Sequence, residues 1–151
     1  MKKIVLNIFL FFILSNCGFA PIYSKSDNQN FDIKLESILG DRLINNLIVS
    51  ELSRNKNYQS EKKFFIDINT DYKKTIYSKD ATGATASYEL NVISNINIKY
   101  KNKIEKIIIT EKFIMDKNDD SFNQNNYEQT IKRSFASLIT QKVLLKLNSI
   151  K

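Results

Sequence analysis

The sequence predicts an α+β fold: a four-stranded, mostly antiparallel sheet with two helices packed on one face, in the order β-α-β-β-β-α. Three observations carry this reading. Within residues 63–115, apolar and polar side chains alternate, which is the period of a sheet with one buried face. On either side of that region, one segment repeats its apolar residues at three- and four-residue intervals, the period of an amphipathic helix. A short alternating stretch, Phe31-Asp32-Ile33-Lys34-Leu35, precedes the first helical segment and adds a strand.

Taken in order, Ser37 or Asp41 is suited to cap the first helix. Its apolar stripe is Leu43, Ile44, Leu47, Ile48 and Leu52, and the polar cluster Arg54-Asn55-Lys56-Asn57 ends it. The second strand spans 63–77, with Phe64, Ile66, Ile68 and Tyr72 on one face and Asp67, Asn69 and Asp71 on the other. Residues 78–85 read as a loop containing Gly83. The third strand places Tyr88, Leu90, Val92, Ile96, Ile98 and Tyr100 on one side and Glu89, Asn91, Asn95, Asn97 and Lys99 on the other. Lys101-Asn102 forms a tight turn into a fourth strand over 104–115. There Ile107, Ile108, Ile109, Phe113, Ile114 and Met115 are too continuous for one buried face, so this strand is either central or covered from outside. After a polar loop, Asn125 and Glu128 have capping-box spacing, and a long helix is expected from about Tyr127 to Leu147. Its apolar stripe is Ile131, Phe135, Leu138, Ile139 and Val143.

The N-terminus follows different rules. Lys2 and Lys3 precede an apolar run, Ile4 to Leu14, that is far shorter than the about 20 residues needed to span a hydrocarbon core. It fits the apolar region of an export signal. Small or polar residues and the only cysteine, Cys17, close the run. Leu14 lies three residues before Cys17 and Ser15 follows it, the pattern of a lipoprotein signal, whereas Asn16 departs from the usual Gly, Ala or Ser. The expected organisation is a lipoprotein signal peptide over 1–16, a lipidated tether over 17–30 and a single α+β domain over 31–151. Diacylglycerol and an N-acyl chain on Cys17 are the only non-protein groups expected. Pro21, the only proline, fixes its own φ and biases Ala20 toward an extended form.

The chain has 151 residues and a formal net charge of +7. Removing the signal would leave 21 basic against 16 acidic side chains. This balance favours anionic partners. An export signal argues against nucleic acid as one of them. There is no histidine, and with Cys17 acylated there is no thiol, so a His-based triad and a Cys/His metal cluster are both excluded. The adjacent carboxylates Asp119 and Asp120 read as solvated turn residues, and no base accompanies the serines near Thr82, so no catalytic role is expected.

Cys17-Gly18-Phe19-Ala20-Pro21-Ile22-Tyr23 resembles the start of mature LptE lipoproteins of the alphaproteobacterial type, which run Cys-Gly-Phe-x-Pro-Leu/Val-Tyr. Ala86-Ser87-Tyr88-Glu89-Leu90-Asn91-Val92 is similar to the family's segment opening its long strand, with Ser87 where an Arg is frequent. Residues 136–147 are similar to its closing helix, with Lys146-Leu147 for Arg-Leu. After the fourth strand, Phe113-Ile114-Met115-Asp116 replaces the family's Phe-x-Ser-Tyr.

The resemblance implies an outer-membrane lipoprotein on the periplasmic side, plugging the LptD β-barrel, aiding its assembly and helping deliver lipopolysaccharide to the cell surface. An auxiliary lipoprotein of a phospholipid transport system is the alternative. On the LptE reading, Lys73, Lys74, Lys79, Lys99, Lys101 and Lys103 are candidates for lipopolysaccharide or other anion contact, because they border loops. Thr82, Gly83, Asn91 and Asn95 are candidates for barrel contact, on the polar sheet face and its adjoining loop.

Overall fold

The computed structural model describes residues 31–150. The signal, Cys17 and the tether lie outside that range. The elements are β1 (Asp32–Gly40), α1 (Arg42–Arg54), β2 (Lys63–Lys79), β3 (Thr85–Tyr100), β4 (Lys103–Asp116) and α2 (Ser121–Ser149). The four strands form one sheet in the order β1-β2-β3-β4. β1 runs parallel to β2, with α1 making the crossover that a parallel pair requires. β2, β3 and β4 form an antiparallel meander. The expected element order, and both helices on one sheet face, are observed.

The alternation in sequence becomes two unlike faces. Phe64, Ile66 and Ile68 of β2, Leu90, Val92, Ile96 and Ile98 of β3, and Ile109 and Met115 of β4 are buried. The helices cover them with Ile44, Ile48 and Leu52 of α1 and Ile131, Phe135, Ala136, Ile139, Val143 and Leu147 of α2, in one core. Buried hydroxyls in this layer pair with each other, Thr70 Oγ1 to Ser94 Oγ at 3.0 Å. Phe31 closes one end, edge-on to Phe64 at 5.5 Å, and Lys62 Nζ donates to the Ile150 carbonyl beside it.

Of the two proposed caps for α1, the structure uses Asp41, whose Oδ1 accepts from Ile44 N at 3.0 Å. Its other oxygen accepts from Lys132 Nζ of α2 at 2.8 Å, so one carboxylate ties the two helices together. Gly40, just before it, has φ +98, and a Cβ there would fall 1.9 Å from the Thr70 carbonyl oxygen. Only glycine lets the chain turn so close to β2.

Three expectations need correction. β1 continues through Gly40 instead of ending near Leu35, by way of a bulge between Leu35 and Ser37. The supposed loop over 78–85 shrinks to a turn, because β2 runs through Lys79 and β3 starts at Thr85. α2 begins at Ser121, not near Tyr127. Asp120 caps it by accepting from Phe122 N at 2.8 Å, and Glu128 lies inside the helix instead of in a capping box. Finally, of the two readings left open for β4, the central one is removed, because β4 is an edge strand. Its continuous apolar run divides between the core and an uncovered outer face.

Candidate interaction surface

Strand pleating places Asp67, Asn69, Asp71 and Lys73 of β2, and Glu89, Asn91, Asn95 and Asn97 of β3, on the face away from the helices. β4 adds Ile104, Lys106, Ile108, Thr110, Lys112 and Ile114. Across the strands the rows read Asn69-Asn95-Ile108 and Lys73-Asn91-Lys112. This face is therefore mostly polar over its two middle strands, with Phe65 and Ile93 as the exceptions, and mixes isoleucine with lysine at the β4 edge. Ile104, Ile108 and Ile114 are all exposed, Ile108 to 71%.

Asn91 and Asn95 thus share this face, as expected. Thr82 and Gly83 do not. They form the tip of the β2–β3 hairpin, about 35 Å from the Asn95 row at ~3.3 Å per residue. Asp80 organises the tip. Its Oδ1 accepts from Thr82 N at 2.8 Å, Thr82 Oγ1 at 2.6 Å and Ala84 N at 3.0 Å. The Thr82 hydroxyl and these amides hold its carboxyl below the ordinary carboxylate range. Gly83 has φ +84 and open space around it. Asp80 was missed in the sequence reading. The Asp-x-Thr-Gly run is turn chemistry that could have revealed it. Exposed Ile76 and Tyr77 flank the same arm and were also missed.

The six candidate lysines form two groups at opposite ends of the sheet. Lys73, Lys74 and Lys79 belong to the tip end, and Lys99, Lys101 and Lys103 to the end where β1 begins. Lys73 and Lys99 are separated by about 26 Å along β2, so the six do not form one anion site. Their engagement differs too. Lys74 points to the helix side, 2.6 Å from Glu128 and 4.5 Å from the centre of the Tyr88 ring. Lys99 lies between Glu36 at 2.6 Å and Asp67 at 3.1 Å, and those carboxylates raise its pKa. Lys73 is 3.6 Å from Asp71, and Lys101 takes the turn position with φ 53. Lys79 and Lys103 are exposed strand-end residues.

Behind the tip end, a polar cluster fastens α2 to the sheet. Tyr72 OH donates to Glu128 Oε1 at 2.8 Å, and Lys132 lies 3.9 Å from the centre of the Tyr72 ring. Burial works to raise the Glu128 pKa, but hydrogen bonds from Lys74 and Tyr72 outweigh it and leave the carboxyl below its ordinary value. Burial, then Glu128, pushes the Tyr72 phenol well up. Among the described residues, no cluster of His, Cys, Asp and Glu could hold a metal ion, and no helix is long and apolar enough to cross a membrane. A groove of about 450 Å³ opens beside β1, between Ile33, Leu35, Leu52, Lys56 and Tyr58.

This architecture defines a class: a two-layer α+β domain with a covered sheet face, an open polar sheet face and a projecting hairpin. Solved structures share it. Rare lipoprotein B from Shewanella oneidensis superposes with a TM-score of 0.62 at 14% identity, over 78% of this chain and 94% of that one. A candidate lipoprotein from Caulobacter crescentus gives a TM-score of 0.54 at 12% identity, over 81% of this chain and 90% of its own. At these identities the likeness is one of fold. No family model and no curated protein matches the sequence.

Proposed function

We propose that this chain is an LptE-type lipoprotein, anchored to the periplasmic side of the outer membrane through acylated Cys17, that plugs the LptD barrel, assists its assembly and takes part in lipopolysaccharide delivery. It acts by contact, without catalysis. The observation that carries the reading is the fold, shared with a rare lipoprotein B and a candidate lipoprotein over most of their length and joined here to a Cys-Gly-Phe-Ala-Pro-Ile-Tyr start. The polarity of the domain supports it. The chain enters at Phe31, beside the start of β2, while the hairpin tip lies at the far end of β2, about 50 Å away. A domain tethered at one end can present the other to a partner. A barrel lumen is polar and wet, and the Asn- and Asp-rich sheet face is suited to exchange hydrogen bonds with it.

Photocrosslinkers at Thr82 and Asn95 in intact outer membranes test the proposal. Both should capture a large β-barrel protein. Capture of an inner-membrane transporter component, or of lipid alone, would refute it.

A further inference from the structure

We infer that β4 is a self-association edge, through which a second copy of this chain adds its own β4 antiparallel and extends the sheet. This goes beyond the barrel reading, does not depend on it, and concerns the chain while it is outside a barrel. β1, at one edge, is nine residues long and bulged. β4, at the other, is fourteen residues long, contains no proline, and pairs with β3 with no register shift. Natural proteins blunt edges with short strands, bulges, prolines and charges, and of these β4 has only charged side chains: Lys103, Glu105, Lys106, Glu111, Lys112 and Asp116.

A second observation concerns α2. Leu138 and Leu145 lie four and three residues from Lys142, so all three share one flank of the helix. Lys142 reaches Glu111 of β4, which places that flank on the β4 side. Leu138 and Leu145 are nevertheless 41% and 70% exposed. Apolar side chains thus overhang the same edge whose outer face shows Ile104, Ile108 and Ile114.

The charge pattern selects a second copy as the occupant. β4 carries Lys103, Glu105 and Lys106 near its start and Glu111, Lys112 and Asp116 toward its end, so the excess charge is basic at one end and acidic at the other. Two antiparallel copies related by a two-fold axis through Glu111 set Lys106 against Asp116, Ile108 against Ile114 and Ile109 against Phe113, each pair occurring twice. Glu111 would meet its own copy on the axis, where Lys142 already neutralises it.

The test uses the full chain in detergent, carrying Cys17→Ser so that any engineered cysteine is the only thiol. Glu111→Cys should form a disulfide-linked dimer under mild oxidation, and Asn69→Cys, on the open face of β2, should not. In sedimentation, Lys106→Asp should weaken dimerisation by about tenfold, since it turns two attractive cross-strand pairs repulsive. Adding Asp116→Lys should restore it. A chain monomeric at every concentration, equal crosslinking at Asn69→Cys, or no rescue by the double exchange would each overturn the inference.

Discussion

Gly40→Ala should weaken the domain more than the same change at Gly83. The added Cβ would lie 1.9 Å from the Thr70 carbonyl oxygen and 2.7 Å from its carbon, both backbone atoms that cannot swing aside. Two costs add. A side chain at φ +98 is strained by about 1–3 kcal/mol. Moving Thr70 away breaks its 2.8 Å bond from Asp41 N, and leaving a buried carbonyl unmet costs a further ~1–3 kcal/mol. A total of about 2–6 kcal/mol, at a urea slope of ~2 kcal/mol per molar, should lower the unfolding midpoint by about 1–3 M. Gly83→Ala separates the two costs, because φ is +84 but nothing lies within 4 Å. It should lose only the strain, about 1–3 kcal/mol. Equal midpoint shifts for the two variants, followed by circular dichroism, would show that the close approach at Thr70 does not constrain the fold.

Other outcomes follow from the same structure. Asp41 and Glu128 are both held below their ordinary values of 3.8 and 4.5, so the stability they supply is present above those values and lost as pH falls through the lower folded ones. Glu128→Gln should flatten that acid limb in urea titrations below pH 4.5 while changing the fold little. Phe135, 3% exposed in the core, should cost ~3–5 kcal/mol when changed to Ala, read as loss of the cooperative transition near room temperature. Cys17→Ala should abolish fatty-acid labelling and release the protein from membranes. Continued labelling would rule out Cys17 as the lipid site.

Much of the fold was legible because burial here is one-sided. β2 and β3 alternate over most of their covered length, with Phe65 and Ile93 as exceptions, and Ile131, Phe135, Ile139 and Val143 of the predicted stripe are buried, whereas Leu138, read with them, is 41% exposed. The start of α2 was hidden because residues 121–126 carry no apolar period to betray a helix, and its cap, Asp120, looked like turn material beside Asp119. β4 stayed ambiguous for the opposite reason. Isoleucines on both faces look the same in sequence whether the outer face meets a second layer or solvent. Gly40 gave no signal at all, since its constraint comes from Thr70, thirty residues away. Among the candidate surface residues, Asn91 and Asn95 were correctly placed by parity alone. The partner of Lys74 was not legible, because nothing local announces that Glu128 of a distant helix will engage it.

The position of α2 after all four strands bears on how such a chain folds. This helix supplies six of the buried apolar residues that cover the meander. Its end also provides the carbonyl that receives Lys62, at the base of β2. A ribosome releases the chain from its N-terminus. Until α2 follows, Leu90, Val92 and Ile96 of β3 lack most of their lid, and burial cannot offset the cost of ordering them. The order of elements therefore delays folding until α2 has emerged, and makes that helix the step that closes the core.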